Sequence, residues 1–379
     1  MNRVLYLSVF LVLNFCLPSF ANVDLESIGT KVNQFLSKNR IPGAILLVSS
    51  KDENFSLVSG LANVQERITM QVNNRFNIGS VTKIFTAVVI LQLVEENKIS
   101  LDDNVSKFIP EDTVSHLANA TESTIQNLLN HTSGIPDYTG KEYFTALGND
   151  QQNFLEEDLI KFAYDKKPTN ETGERFNYSN INYVLLGIII KNVTGKSLKD
   201  IYSEKIFIPA NLNETEFGIS LYPDKLAHGY LMIKRVPKFL RSFLVNGIKI
   251  KDFVYDLTYV NLAPSSDGGI ISTVSDLEKF ARALFKEEKL LKKESLELLL
   301  NNSVKVTKVF SYGLGIEKLI KDDLGEVIGH GGDSLIYQTS LLYLPKQDKI
   351  IVVFVNSENL DHRINAPSRL LSKVSKEIF

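Results

Sequence analysis

The sequence predicts an α/β (α+β) fold, with a mixed antiparallel sheet built from both chain ends, flanking helices and an inserted, mainly helical region. Two observations lead to this prediction. Short runs rich in Val, Ile, Leu, Phe and Tyr, typical of strands, occur near both ends, whereas longer apolar runs with helical spacing fill the middle. We expect one domain over residues 22–379, with its sheet region at about 22–80 and 265–379 and its helical region at about 81–264. A cleft is expected where the two regions meet.

The predicted elements follow from local patterns in chain order. Strands bounded by Gly, Asn, Asp or Lys clusters are expected at 44–50, 55–58, 310–314, 334–344 and 350–355. Helices are expected at 81–97, 124–131, 154–164, 180–193, 276–285 and 366–378. The triplet Gly195-Lys196-Ser197 lacks the earlier glycine of a phosphate-binding loop, because Ile190 stands there, and it is typical of a helix C-terminus instead.

The composition excludes several classes of protein. With 44% hydrophobic residues, 21 glycines and 11 prolines, the 379-residue chain is not collagenous, disordered or a multispan membrane protein. Its 42 basic and 44 acidic residues leave a formal charge of −2, which gives no reason to expect a nucleic-acid partner. None of the five histidines has the spacing of a zinc motif, so we expect neither a metal nor another cofactor.

The N-terminus has the pattern of a cleaved signal peptide at residues 1–21. Arg3 precedes an apolar run over 4–17, and Ser19-Phe20-Ala21 has the small-x-small pattern of a cleavage site. The run falls short of the roughly 20 apolar residues that a membrane span needs, although a short anchor is the alternative. We therefore expect an exported protein, periplasmic or secreted, without a stable transmembrane anchor. Cleavage would also remove Cys16, the only cysteine, so any nucleophile of the mature chain must be oxygen.

One serine has the surroundings of a nucleophile. Ser80 and Lys83, in the segment FNIGSVTK (76–83), are spaced so that their side chains meet on one face at the start of an apolar helix. Burial favours the neutral amine, which can take a proton from the hydroxyl. The alternative is a helix-capping serine beside a solvated lysine.

Two further segments complete a possible site. Tyr178-Ser179-Asn180 follows a turn and precedes a long apolar helix, which places Tyr178 where it can face a cleft. A second triplet, Tyr259-Val260-Asn261, lies in a poorly periodic stretch and is interpreted as packing. The third segment, GHGGD (329–333), precedes an apolar run, and its glycines would let a substrate approach the backbone, although a simple hairpin turn has the same pattern.

Together these segments resemble the serine β-lactamase and penicillin-binding-protein superfamily, in particular the branch with class C β-lactamases, D-Ala-D-Ala carboxypeptidases and esterases. The likeness runs from about Ile28 to near the C-terminus and includes 128–135 (LLNHTSGI), 185–187 (LLG) and 267–273 (DGGIIST). Three ordered motifs with these flanking segments make the resemblance specific.

The resemblance implies a role for each matched residue. Ser80 would be acylated, Lys83 and Tyr178 would relay protons, and Asn180 would contact the substrate amide. The oxyanion hole would use the backbone N–H groups of Ser80 and Asp333, beside His330-Gly331-Gly332. Which of Lys83 and Tyr178 removes the first proton stays open. His131 is expected to be structural.

The departures from the family concern the substrate. Class C β-lactamases typically have Lys-Thr-Gly where this chain has His330-Gly331-Gly332, and a histidine is only partly charged at neutral pH. The Asp333 carboxylate would repel the oxyanion unless it points away. We therefore expect an exported serine hydrolase acting on D-Ala-D-Ala-type peptides, with an esterase or weak β-lactamase as the alternative.

Two expectations concern partners. Besides a small peptide, β-lactam or ester substrate, cell-wall peptidoglycan is a possible partner, and a non-catalytic cell-wall-binding homologue is the alternative of another class. The stretch 233–251 is rich in Lys and Arg among aromatic and aliphatic residues. It is interpreted as a solvated loop, with a lid or an anion-binding surface as the alternative.

Overall fold

The computed structural model describes residues 10–12, 24–51, 54–150, 154–218, 220, 223–234, 236–245, 247–251, 254–258, 264–360 and 365–379. The helices are α1 Leu25–Asn39, α2 Thr82–Glu95, α3 Glu111–Val114, α4 Ile125–Leu129, α5 Lys141–Asp150, α6 Glu156–Lys161, α7 Asn180–Thr194, α8 Leu198–Tyr202, α9 Lys238–Val245, α10 Val274–Phe285, α11 Lys293–Asn301 and α12 Ala366–Ile378. The strands are β1 Phe10–Val12, β2 Gly43–Ser49, β3 Asn54–Asn63, β4 Ile68–Thr69, β5 Phe76–Asn77, β6 Glu216–Phe217, β7 Tyr230–Met232, β8 Ile248–Lys251, β9 Val254–Asp256, β10 Ile270–Ser272, β11 Val304–Lys305, β12 Phe310–Tyr312, β13 Glu317–Lys321, β14 Gly325–Asp333, β15 Gln338–Leu344, β16 Lys349–Val355 and β17 Ser357–Asn359.

One large sheet joins the two ends of the chain. Its order is β1-β3-β2-β16-β15-β14-β13-β12-β11, with β4 beside β3, and neighbouring strands run antiparallel. The N-terminal and C-terminal strands meet where β2 pairs with β16, and Leu47 lies opposite Val352 there. The prediction of a sheet assembled from both termini is therefore confirmed.

The alternating side chains of this sheet enter two cores. Ile45 and Leu47 of β2 join a large cluster with α2, α7 and α10, whereas Leu46 and Val48 join a smaller cluster with α1 and α12. This division follows because successive side chains of a strand point to opposite faces. Helix α2 is apolar on all sides and its residues from Thr82 to Leu91 are buried, which is expected of a helix in the middle of a core.

The predicted helices and strands lie within a few residues of the observed ones, with two differences. The strand predicted at 334–344 begins only at Gln338, because Ser334 N–H donates to the Tyr337 carbonyl in a turn. The glycine-rich segment 329–333 is the end of strand β14 and not a hairpin turn. Gly195 ends α7 with φ 67°, as expected of a helix C-terminus.

The region predicted to be mainly helical also contains strands. Strands β7 and β8 both pair with β9, and β17 from the C-terminal part joins β7 in parallel. A three-stranded sheet, β5-β10-β6, joins this region to the segment before Ser80. These strands have two to four residues, too short for a period of two to be recognised in the sequence. The predicted basic loop at 233–251 includes helix α9 and strand β8.

Of the predicted signal peptide, only Phe10–Val12 lies among the described residues, where it pairs with β3 at the edge of the large sheet. Its cleavage stays a prediction. No helix in the described part of the chain combines the length and the apolar character that crossing a membrane requires.

Candidate active site

A tight turn presents Ser80 at the entrance of α2. Strand β5 ends at Asn77, and a 3₁₀ turn over Gly79–Val81 leads into the helix. The Asn77 side chain accepts a hydrogen bond from Gly79 N–H at 2.8 Å and donates to the Gly268 carbonyl at 2.9 Å. Gly79 has φ 53°, which favours glycine. The turn therefore fixes Ser80 while leaving its side chain partly exposed.

Lys83 lies one helical turn farther on and is completely buried. Its ammonium group donates to Ser80 Oγ at 3.1 Å, to Asn180 Oδ1 at 2.8 Å and to the Asp267 carbonyl at 2.8 Å. Burial lowers the pKa of Lys83 to about 8, although the carboxylate of Asp267, 3.9 Å away, acts to raise it. A substantial fraction of the amine is therefore neutral in mildly alkaline solution, as a proton acceptor requires.

Tyr178 approaches Ser80 from the segment before α7. Its hydroxyl donates to Ser80 Oγ at 3.0 Å, and desolvation raises its pKa well above the usual range. His131 packs against its ring at 4.2 Å between centroids and accepts a hydrogen bond from Ser179 N–H at 3.2 Å. Burial lowers the pKa of His131 well below its usual value, which keeps the ring neutral. His131 thus orients Tyr178, consistent with the structural role expected for it.

Asn180 connects Lys83 to a second carboxylate. Besides accepting from Lys83, its side chain donates to Asp137 Oδ2 at 3.2 Å, and its backbone N–H donates to Asp137 Oδ1 at 3.0 Å. Asn180 also lines the cleft. In the structure it orients Lys83, and the substrate contact expected of it stays a prediction.

The two expected oxyanion donors lie side by side. The first hydrogen bond of the 3₁₀ turn runs from Val81 N–H to the Ile78 carbonyl. Ser80 comes one residue earlier, so its N–H lies before this first bond of the turn. Gly331 N–H donates to Glu317 at the β13 edge of β14. Alternate residues of a strand direct their N–H groups to the same edge, so Asp333 N–H also points to the β13 edge of β14. The pairing of β13 with β14 ends at Glu317 and Gly329, and Asp333 lies beyond this last pair.

Small residues allow this close approach. A Cβ atom on Gly79 would lie 2.7 Å from Asp333 N, and one on Gly332 would lie 2.0 Å from the Ile78 carbonyl oxygen. Any larger side chain at Gly332 would push β14 away from the nucleophile turn. The glycines that the sequence suggested for substrate access therefore act first by bringing the two donors together.

His330 is not the partly cationic residue that the sequence suggested. The side chain is 1% exposed; Nε2 lies 2.8 Å from the Tyr312 hydroxyl and Nδ1 lies 2.5 Å from the Gly331 carbonyl. Burial lowers its pKa, and both ring nitrogens have partners that suit a neutral imidazole. Its environment thus disfavours an ion pair with a substrate carboxylate.

The Asp333 side chain turns away from its own N–H. Its Oδ1 accepts a hydrogen bond from Leu335 N–H at 2.9 Å, and its carboxyl group lies against that of Glu358. Burial, together with the Asp333 carboxylate, raises the pKa of Glu358 to about 9. The expected repulsion of an oxyanion is thus reduced by geometry and by a proton on the pair.

Two openings flank Ser80, with volumes of about 540 and 370 Å³. Ser80, Tyr178, Asp333 and Glu358 line both of them. The structure therefore brings together every predicted site residue, namely Ser80, Lys83, Tyr178, Asn180, His330, Gly331, Gly332 and Asp333. The second triplet, Tyr259-Val260-Asn261, lies outside the described residues.

Sequence reasoning missed four acidic residues of the site. These are Asp137, Asp267, Glu317 and Glu358. Asp267 begins the segment DGGIIST (267–273), whose resemblance to the family could have identified this residue. No local sequence pattern distinguishes the other three. No cluster of three or more metal-binding side chains occurs in the ranges that the structure describes. The arrangement as a whole suits acyl transfer, with a nucleophile, a proton acceptor and two oxyanion donors.

Comparisons with known proteins agree with this arrangement. The Beta-lactamase family model matches residues 28–373. Penicillin-binding protein 4* of Bacillus subtilis (strain 168) is 28% identical over 331 residues, which cover 85% of this chain and 69% of that protein.

Two solved structures are also similar. D-amino acid amidase from Ochrobactrum anthropi SV3 has a TM-score of 0.81 at 23% identity, covering 93% of this chain and 98% of that one. A D-stereospecific amidohydrolase from a Streptomyces species has a TM-score of 0.72 at 27% identity, covering 88% and 94%. Since the family model spans most of the sequence, the chain belongs to the β-lactamase family, within the superfamily of serine β-lactamases and penicillin-binding proteins.

Proposed function

We propose that the protein is an exported serine hydrolase that cleaves amide bonds through an acyl enzyme on Ser80. The observation that carries this proposal is the contact of Ser80 Oγ with both Lys83 Nζ, at 3.1 Å, and the Tyr178 hydroxyl, at 3.0 Å. Ser80 attacks the carbonyl carbon as its proton passes to Lys83, and the N–H groups of Ser80 and Asp333 stabilise the oxyanion. The leaving group takes up a proton, and water then releases the acyl group.

D-configured peptides and amides are the proposed substrates. The sequence favours D-Ala-D-Ala-type peptides, and the similar proteins include a penicillin-binding protein and a D-stereospecific amidohydrolase. Glu317, Asp333 and Glu358 line the larger opening, and no Lys or Arg lines it within the described part of the chain. Because this lining offers no cation to bind a free carboxylate, it favours amides of D-amino acids over carboxypeptidase substrates.

Substrate hydrolysis tests this proposal. The purified protein would be assayed with a D-Ala-D-Ala peptide, a D-amino acid amide with its L-enantiomer, a short-chain ester and a cephalosporin. We expect faster hydrolysis of the D-amide than of its enantiomer, and loss of all activity in Ser80→Ala. Preference for the ester or the cephalosporin would replace the peptidase proposal with the esterase or weak β-lactamase alternative. Activity towards none of them would favour the non-catalytic cell-wall-binding alternative.

Export is a separate part of the proposal. N-terminal sequencing of the protein recovered from the producing cells tests it, and a chain that starts at residue 22 in the periplasm or the medium is expected. A chain that retains residues 1–21 would contradict signal cleavage.

A further inference from the structure

A carboxyl pair beside the oxyanion donors has no evident structural purpose. Asp333 ends strand β14 and is exposed at the mouth of the cleft, whereas Glu358, in β17, is 5% exposed behind it. Asp333 uses Oδ1 to accept from Leu335 N–H. An asparagine would make the same turn contact, so the turn does not require a carboxylate.

The surrounding polar atoms leave hydrogen-bonding capacity unused. Glu358 Oε2, Thr339 Oγ1 and Ser334 Oγ are buried without a hydrogen-bond partner among the described residues. Glu358 lines both openings beside Ser80, Thr339 lines the larger one and Ser334 the smaller one. Because a buried polar group without a partner destabilises the fold, three such groups in residues that line the cleft indicate a ligand that brings hydrogen-bond partners.

The charge of the cleft points to the nature of that ligand. In the described residues, no Lys or Arg lines either opening, and Asp333 and Glu358 form no ion pair. The other buried acid of the site, Asp267, already faces Lys83 at 3.9 Å. Burial and its neighbour raise the pKa of Glu358 to about 9, so a proton holds the pair together until a cation replaces it.

On the basis of the proposed function, we propose that Asp333 and Glu358 form a subsite for an ammonium group on the carbon next to the scissile carbonyl. The backbone of Asp333 supplies one oxyanion donor. An α-ammonium is two bonds from the carbonyl carbon, so in a substrate whose carbonyl oxygen is held by Asp333 N–H the ammonium lies in the openings that Asp333 and Glu358 both line. Its three N–H donors match the unused acceptors, and its charge offsets the carboxylate next to the developing oxyanion.

The subsite is tested with a matched pair of substrates, D-alanine p-nitroanilide and its N-acetyl derivative, at pH 7. The α-amino group of the first is mostly protonated there, whereas the second is neutral. We expect the wild type to prefer the free amine. Asp333→Asn should reduce kcat/KM for the free amine by about 10- to 100-fold more than kcat/KM for the acetylated substrate, the range of a hydrogen bond to a charged group. Glu358→Gln should act in the same direction with a smaller effect.

The chain offers a matched control in Glu317→Gln. This residue lines the same cleft, but its Oε2 already accepts from Gly331 N–H at 3.2 Å. This variant shows the effect of removing one nearby carboxylate. We expect it to change the ratio of kcat/KM for the free amine to kcat/KM for the acetylated substrate by less than about threefold. An equal effect of Glu317→Gln and Asp333→Asn would overturn the subsite, as would equal slowing of both substrates in Asp333→Asn.

Two further measurements separate the subsite from the proposed function. Labelling of Ser80 in the wild type by an uncharged fluorophosphonate reports on the nucleophile alone, and circular dichroism shows whether Asp333→Asn is folded. Calorimetric binding of D-alanine amide to Ser80→Ala reports on the subsite alone. Binding of this amide no tighter than that of N-acetyl-D-alanine amide would overturn the subsite even if Ser80 is labelled. Absent labelling with preferential binding would instead overturn the proposed function.

Discussion

At the scale of single residues, Lys83 is the group whose protonation state controls the proposed mechanism. Complete burial lowers the pKa of its amine and prevails over the carboxylates of Asp267, Asp137 and Glu317, which act to raise the pKa. The sequence predicted the Ser80–Lys83 pair because a spacing of three at a helix start brings two side chains together. It left the choice of the first base open, because that choice depends on desolvation and on neighbours distant in sequence, such as Asp267.

A pH profile distinguishes the two bases. If neutral Lys83 takes the Ser80 proton, the rate of labelling by an uncharged fluorophosphonate should rise about tenfold per pH unit and level off above an apparent pKa near 8. The rate rises with pH because the deprotonated amine is the active form. If Tyr178 acted as the phenolate, its raised pKa would make the rate continue to rise beyond pH 9. A rate independent of pH between 6 and 9 would contradict both assignments.

Removal of the Tyr178 hydroxyl tests the second proton group. Tyr178→Phe should slow hydrolysis of the D-amide by about 10²- to 10⁴-fold, the range of general acid–base catalysis. Tyr183→Phe is the matched control, because its hydroxyl donates to the Leu129 carbonyl at 2.8 Å instead of contacting Ser80. Comparable activity in the two variants, with equal melting temperatures, would argue against a role for Tyr178 in proton transfer.

At the scale of elements, the close approach of strand β14 to the turn at Gly79–Val81 brings the two proposed oxyanion donors together. The order of the motifs along the sequence predicted that these segments belong together, and the apolar periods predicted α2, α7 and the central strands. The burial of His330 and the contact between Asp333 and Glu358 could not be predicted. They depend on which edges of β14 and β17 face the cleft, which is decided by strand pairing across the whole chain.

Substitution of Gly332 tests this element-scale arrangement. In Gly332→Ala the new Cβ would overlap the Ile78 carbonyl oxygen, from which it would lie 2.0 Å, so β14 must shift. We expect acylation to slow by about 10²- to 10³-fold, the usual effect of losing one oxyanion donor. Gly331→Ala is the control, because its Cβ would meet nothing closer than Glu317 Oε2 at 4.0 Å. Equal rates of fluorophosphonate labelling in the two variants would contradict the close approach.

At the scale of the whole molecule, the helical region is fixed to the site through a buried acid. Glu156 of α6 accepts from Ser266 N–H at 2.8 Å and pairs with Lys191 of α7 at 3.1 Å. Ser266 precedes Asp267, whose carbonyl accepts from Lys83. A hydrogen bond and an ion pair of Glu156 therefore help to join the helical region to the site.

The burial of Glu156 should make the stability of the fold depend on pH. Desolvation raises the pKa of Glu156 to about 7, above its ordinary value of 4.5, so between these values the folded state binds more protons than the unfolded state. The contribution of Glu156 to stability is therefore fully present below pH 4.5 and is lost as pH rises through 7. Urea unfolding should show that the free energy of unfolding of Glu156→Gln, relative to that of the wild type, increases as pH rises from 4.5 to 7.

Glu157→Gln provides the control of opposite sign. Its partial burial acts to raise the pKa of Glu157, but the hydrogen bond from Lys191 prevails and lowers it. This variant should be less stable than the wild type by a constant amount above about pH 4.5, and the deficit should disappear as pH falls below that value, since the removed carboxylate is stabilised when ionised. Parallel curves for the wild type and Glu156→Gln would contradict the buried, protonated state of Glu156.

The identity of the nucleophile is tested most directly by intact mass. The purified protein would be exposed to a fluorophosphonate and, separately, to a labelled penicillin, and the modified peptide would then be mapped. We expect the mass of one fluorophosphonate adduct, located on Ser80, and no adduct in Ser80→Ala. Labelling of Ser80→Ala equal to that of the wild type, or no adduct from either reagent, would contradict an acyl enzyme on Ser80.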